Sequence, residues 1–192
     1  LPAAQQEWDD FRTTYSPDSP AVMSLLTEPE TCYTADMPCL VRIDALYGAG
    51  ASASWLAQHI THTAAYCGKP LTDVQAVILA STIRMSFGHL KPSEIILFFA
   101  YFRAGRYGRF YGNFDPMMVT ESMQRFLADR AAGIERIERQ KREETASRAS
   151  KGISWEEYCR RQGITGHPSP LHTLQSKSDS HGKKNRPRST HV

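Results

Sequence analysis

Lys91-Pro92-Ser93-Glu94-Ile95-Ile96-Leu97-Phe98-Phe99-Ala100-Tyr101-Phe102-Arg103 is the stretch whose reading decides the fold class. A proline at the first helical position loses no hydrogen bond, because that N–H has no acceptor within the helix. Behind it the run is apolar on nearly every side, which suits a helix at the centre of a bundle. A strand is the competing reading of the same residues, and the Pro92-Ser93-Glu94 opening favours the helix.

Working outward, each neighbouring segment carries its own start and stop. Thr72 and Gln75 make a capping box, in which hydroxyl and amide satisfy two orphaned backbone donors. Val74, Val77, Ile78, Ile83 and Met85 follow as the expected core stripe, with Leu79 widening it, and Gly88 ends the run. Upstream, Trp55, Leu56, His59, Ile60 and Thr63 share one face of a helix expected over Ser52–Tyr66, stopped by Gly68 and Pro70. Before it, Leu40, Ile43 and Leu46 recur at helical spacing, closed by Gly48 and Gly50. Downstream, Asp115-Pro116 supplies a cap and a first-turn proline for a long helix. Its stripe is Val119, Met123, Phe126, Leu127, Arg130 through its stem, Ile134 and Ile137, and from Glu135 to Glu144 the helix is charged all round. The expectation is an all-α domain, a compact bundle of about five helices over residues 39–145.

The flanks read differently. Pro17, Pro20, Pro29 and Pro38 interrupt residues 1–38, leaving room only for short helices around Gln5–Tyr15 and Ala21–Leu26. This lead-in is expected to be a disordered acidic arm. Residues 146–192 are expected to hold a linker at Ser147–Lys151, one short helix opened by a Ser154/Glu157 capping box and closed by Gly163, and a disordered basic tail. The net charge of +3 conceals −6 over residues 1–40 and +9 over the remainder. Such asymmetry points to an anionic partner, to an acidic arm that shields the basic part, or simply to an uneven solvated surface.

With 192 residues and 41% hydrophobic content, the chain can bury one good core. No stretch reaches the ~18 apolar residues of a membrane span. The opening residues lack the charged and apolar regions of a signal peptide, and whether a leader was removed stays open. Cys32, Cys39, Cys67 and Cys159 have no paired spacing, which suits reduced thiols and a cytoplasmic setting.

No catalytic signature stands in the chain: no phosphate loop ending in Lys-Ser/Thr, no serine elbow and no zinc-protease helix. His59 and His62, followed by Cys67, lack the further ligands that zinc requires, so neither a metal nor a cofactor is expected. Asp115 and Glu121 are one carboxylate pair, better explained by the positive end of a helix dipole. An enzyme is therefore not the expected class.

The densest chemistry lies in Gly105-Arg106-Tyr107-Gly108-Arg109-Phe110-Tyr111-Gly112-Asn113-Phe114, with three glycines, two arginines and four aromatics. Arg103, Arg106 and Arg109 are candidates for phosphate contacts, and Tyr107, Phe110 and Tyr111 for stacking on exposed bases of single-stranded or duplex nucleic acid. Two other readings stay open. The rings could fold back into the core and the glycines merely turn the chain, or the loop could plug a groove on a partner protein. Exposure discriminates: exposed rings among arginines favour nucleic acid, an exposed apolar patch without basic neighbours favours a protein, and buried rings favour scaffold.

Tyr47-Gly48, Trp55-Leu56, Leu71-Thr72-Asp73-Val74-Gln75, Phe87–Glu94 and above all Leu97–Gly112 with Asp115-Pro116-Met117 carry a family likeness. Over Leu40–Arg130 the chain resembles a family of uncharacterised proteins of Bacteroidetes genomes, often encoded in phages and other mobile elements. That resemblance implies no activity. Its setting implies a non-catalytic role in DNA transactions such as replication, with a protein of the replication machinery as a further expected partner.

Overall fold

The computed structural model describes residues 2–108, 114–150, 152 and 155–163. Among them it has nine helices and no strand: α1 Pro2–Thr14, α2 Pro20–Thr27, α3 Thr31–Thr34, α4 Leu40–Tyr47, α5 Ala51–Tyr66, α6 Asp73–Phe87, α7 Pro92–Arg103, α8 Pro116–Ser150 and α9 Trp155–Gln162. The five helices expected over residues 39–145 are α4 to α8. The others come from the lead-in and from the short helix near the C-terminus. Two compact units divide the chain, Leu1–Arg139 and Gln140–Val192.

In the first unit α7 is the central helix. Ile95, Ile96, Leu97, Phe98, Phe99 and Phe102 are all buried, as is Glu94 at its start. Glu94 Oε2 accepts from Lys91 N–H at 2.9 Å, so the residue that opens the helix also satisfies one of its orphan donors. The same core cluster holds Trp55, Leu56 and Ile60 of α5, Leu79 and Ile83 of α6, and Val119, Met123 and Phe126 of α8, with Phe126 edge-on to Phe98 of α7 at 5.7 Å. Thr72 and Gln75 form the expected capping box, and Asp115 Oδ1 accepts from Met117 N–H at 2.8 Å at the start of α8.

Asp44 ties three helices together. Its Oδ1 accepts from Ser52 N–H at 2.9 Å, capping α5, which begins at a left-handed Gly50 that has no side chain to do so. Its Oδ2 accepts from Arg84 Nε of α6 at 2.7 Å. Val41 N–H donates to Gly88 O and Leu40 N–H to Leu90 O, both at 3.0 Å, stitching α4 to the α6–α7 turn.

The lead-in departs from expectation. In place of the expected disordered arm, residues 2–34 hold the three helices α1 to α3, and Trp8, Val22, Cys32 and Tyr33 join the core. Trp8, at 6% exposure, stacks on Phe11 and on Tyr47 of α4, with centroids 5.5 and 5.2 Å apart. The Tyr15 carbonyl accepts from Trp55 Nε1 at 3.0 Å, and His59 Nε2 lies 2.9 Å from the same oxygen, where the Nε2–H tautomer donates. Ser93 Oγ donates to Cys32 O at 2.7 Å, and Lys91 Nζ donates to Ala35 O at 2.8 Å. Pro20 breaks nothing, because it occupies the first turn of α2 behind the Ser19 cap. Burial pushes the Cys32 thiol up to about 11, leaving it an inert packing group.

Two apolar stripes also differ. On α4, Leu40 and Ile43 are buried as expected, but Leu46 is exposed and Tyr47 packs on the core in its place. On α6, Ile83 and Leu79 are buried together with Ala76, Ala80 and Phe87, whereas Val74, Val77, Ile78 and Met85 are exposed. The alanines explain the rotation. Small side chains let α6 lie close against α5, so its contact face is the one bearing Ala76 and Ala80 rather than the one with the bulkiest residues.

In the second unit, residues 140–149 of α8 are exposed. The linker expected at Ser147–Lys151 is helical as far as Ser150. Within α9, Arg161 Nη2 lies 3.8 Å from Glu157 Oε1. Ser154 and the basic tail lie outside the described residues.

Candidate functional site

The start of the Gly/Arg/aromatic loop is set by how α7 ends. Gly105 takes the left-handed conformation, with φ of 75°. Its N–H donates to Phe102 O and the Arg106 N–H donates to Tyr101 O, both at 3.0 Å, the paired bonds of a Schellman closure. This reversal carries Arg106 back over the Tyr101 ring, with Cζ 4.4 Å from the centroid.

Arg106 and Tyr107 then converge on one carboxylate of α8. Arg106 Nε donates to Asp129 Oδ2 at 2.9 Å, and the Tyr107 hydroxyl donates to the same oxygen at 3.0 Å. Arg125 Nη1 donates to the Tyr107 carbonyl at 2.7 Å. The Tyr107 ring is buried and stacked on Phe98, 6.0 Å away. Burial pushes its hydroxyl up, and the neighbouring Asp129 pushes the same way. Phe114, where the described chain resumes, is also buried, edge-on to Phe102 at 6.1 Å.

The candidate nucleic-acid residues therefore separate. Tyr107 is occupied as a core ring, so its faces are not presented to a base. Arg106 is half exposed but shares its charge with Asp129. Arg103 lies further back on α7, with Nη1 3.4 Å from Thr63 Oγ1 as donor. Arg109, Phe110 and Tyr111 lie outside the described residues.

A second feature was not anticipated as a site. Val74, Val77, Ile78 and Met85 are 68%, 50%, 62% and 80% exposed. At 100° per residue they fall, with half-buried Ser81, on one side of α6, opposite Ala76, Leu79, Ala80, Ile83 and Phe87. On one flank lies a groove of about 560 Å³ between α4, α5 and α6, walled by Val41, Ala45, Ala53, Ser81 and Met85, with the Asp44–Arg84 pair in its lining. On the other lies a groove of about 220 Å³ lined by Ile78, Thr82, Met117 and Thr120. The signal for this face was present in the sequence: α6 is apolar on two opposite sides, and Ala76 and Ala80 mark which side can pack closely.

The histidines diverge. His59 is buried on Tyr15 O, while His62 Nε2 pairs with Asp18. Among the described residues no group of three or more His, Cys, Asp or Glu could hold a metal ion, and no helix is long and apolar enough to cross a membrane.

Residues 72–166 match the model of a family of unknown function (DUF6633). The chain is thus similar to an uncharacterised family from the Thr72 cap of α6 to beyond α9. The match begins at Thr72, where the resemblance was expected from Leu40, and runs on past Arg130. No curated protein and no solved structure matches the chain.

Proposed function

We propose that this chain is a non-catalytic protein-interaction module that works through the outer face of α6. The observation that carries this reading is the exposure of Val74, Val77, Ile78 and Met85 on a helix whose opposite face is already buried. A helix apolar on two sides belongs between two layers, and among the described residues only one layer covers α6. Exposed contiguous apolar surface of this kind marks interaction sites. The apolar arc of α6 holds no basic residue, and Arg84, the single one of the helix, sits at its edge with Nε given to Asp44, so the face has little attraction for a run of phosphates. The adaptor reading thereby moves from the Gly/Arg loop to α6.

One observation favours a second reading, a nucleic-acid-associated protein in phage or mobile-element DNA replication. The Arg106 guanidinium, 49% exposed, lies over the Tyr101 ring with Cζ 4.4 Å from its centroid and offers a cation for phosphate. Asp129 offsets much of that charge, which is why this reading ranks second.

Affinity capture from cells with mass spectrometry tests both, using the parent and Ile78→Asp, with and without nuclease. The module reading expects a partner retained through nuclease and lost with Ile78→Asp. Capture that disappears with nuclease and is indifferent to Ile78→Asp would overturn it in favour of nucleic acid.

A further inference from the structure

The outer face of α6 carries its own charge pattern. Projected at 100° per residue, Val74, Val77, Ile78, Ser81 and Met85 lie within an arc of about 100°. Asp73 and Arg84 both fall along one edge of that arc, at its two ends. Asp73 is exposed. Arg84 gives Nε to Asp44, and a guanidinium has four further N–H donors.

An occupant of this face must bring apolar side chains along its length, a cation to Asp73 and an acceptor to Arg84. A second α6 running antiparallel brings all three. A two-fold axis across the helices keeps like edges together and reverses their direction, so Asp73 of each copy meets Arg84 of the other, twice. Parallel pairing, with its two-fold axis along the helices, would bring unlike edges together and leave Asp73 without the Arg84 of the other copy. Antiparallel pairing also lays the positive end of each helix dipole beside the negative end of its neighbour. Val77 and Ile78 then lie at the axis, with Met85 of one copy near Val74 of the other. The groove beside α6 is lined by the small residues Ala45, Ala49, Gly50 and Ala53, which leave room where a second helix approaches.

We infer that the α6 face is a self-association surface: two copies of this chain pair through α6, antiparallel, about an axis near Val77 and Ile78. The inference rests on the reading of this face as an interaction surface and names its occupant. With Val41 and Met117 at its borders, the patch has far fewer side chains than the roughly 20–30 residues per side of a standard interface, so the dimer is reversible, with Kd on the order of tens of micromolar.

Sedimentation velocity on the full chain, from about 1 to 500 µM, tests this against the ~10⁻⁵ M expectation. Ile78 and Asp73 are exposed, so Ile78→Asp should melt close to the parent and Asp73→Arg slightly below it, since it places a cation at the positive end of α6. Both variants stay folded at the assay temperature, which circular dichroism checks on the same samples. The parent should pass from monomer to dimer across the series. Ile78→Asp should weaken pairing at least about tenfold, and Asp73→Arg about three- to tenfold at low salt, less as salt screens the edge. A parent that stays monomeric, or a dimer indifferent to Ile78→Asp, overturns the second-copy inference. A dimer lost with Ile78→Asp but indifferent to Asp73→Arg overturns the antiparallel register. If the parent is monomeric while Ile78→Asp still abolishes a nuclease-resistant captured partner, the interaction face stands and only its occupant was wrong. If neither measurement responds to Ile78→Asp, both readings fall.

Discussion

Arg130 Nε of α8 and Glu94 Oε1 of α7 lie 2.7 Å apart, and the Glu94 side chain is completely buried. Its other oxygen caps α7 through Lys91 N–H, so both carboxylate oxygens are satisfied and α8 is keyed to the central helix. Removing the cation strands the carboxylate in the core, which is the costly way to break such a pair. Arg130→Ala should lower unfolding free energy by about 3 kcal/mol in urea titrations, the lower end for buried pairs because the Arg130 side chain is 27% exposed. Arg130→Lys should recover part of that loss. An Arg130→Ala protein as stable as the parent would show that the pair contributes nothing.

His59 gives the fold a pH dependence. Burial pulls its imidazole down to about 4; Arg103 and His62 act the same way, against the Tyr15 hydrogen bond and Asp18. The unfolded chain takes up this proton near pH 6.5. Between about 6.5 and 4 the unfolded state therefore holds more protons, and stability falls as pH falls through that window. Above it the contribution is fully present. The whole effect is on the order of 3 kcal/mol. Since carboxylates titrate nearby, the readout is the parent against His59→Gln, whose amide can still donate to Tyr15 O. The stability gap between them should shrink from pH 7 to pH 4.5, and a constant gap would exclude His59 as its source.

The lead-in is part of the core, so trimming it should be destabilising rather than liberating. Trp8→Ala should cost about 3 kcal/mol, as for other large buried rings. Deleting residues 1–38 removes the Tyr15 carbonyl on which Trp55 and His59 converge. The truncated chain should lose cooperative thermal melting by near-ultraviolet circular dichroism. A sharp transition at the parental temperature would restore the independent-arm picture.

Tyr107 and Arg106 separate scaffold from ligand binding. Tyr107→Phe keeps the ring on Phe98 and loses only the Asp129 bond, for about 1 kcal/mol. Tyr107→Ala should cost about 3 kcal/mol. Fluorescence anisotropy with an oligonucleotide at low salt, run on the same preparations as the melts, should show no binding by the parent. Parental binding that Arg106→Gln weakens without altering the melting temperature would instead promote the nucleic-acid reading.

Helix identity was legible in short range signals. The Thr72 and Gln75 box, the prolines at 92 and 116 and the glycines after α4 and α7 each act within a few residues, so spacing alone revealed them. The buried face of α5, from Trp55 to Thr63, was equally plain, because its large side chains recur on one side only. The lead-in misled because prolines were weighed as breakers, while Trp8, Phe11 and Tyr15, spaced to share one face, were not weighed as a docking stripe.

By itself the sequence determined the all-helical class, the five central helices and the place of α7 at the middle. These follow from backbone capping and from one-sided or all-round apolarity, which are properties of single segments. Only the tertiary structure decided which of two apolar faces α6 buries, that Tyr107 turns inward to Asp129, and that the acidic lead-in closes the core. Each of those is a competition between surfaces far apart in the chain. Close approach at Ala76 and Ala80 prevailed over the larger side chains opposite, and it left Val77 and Ile78 facing outward.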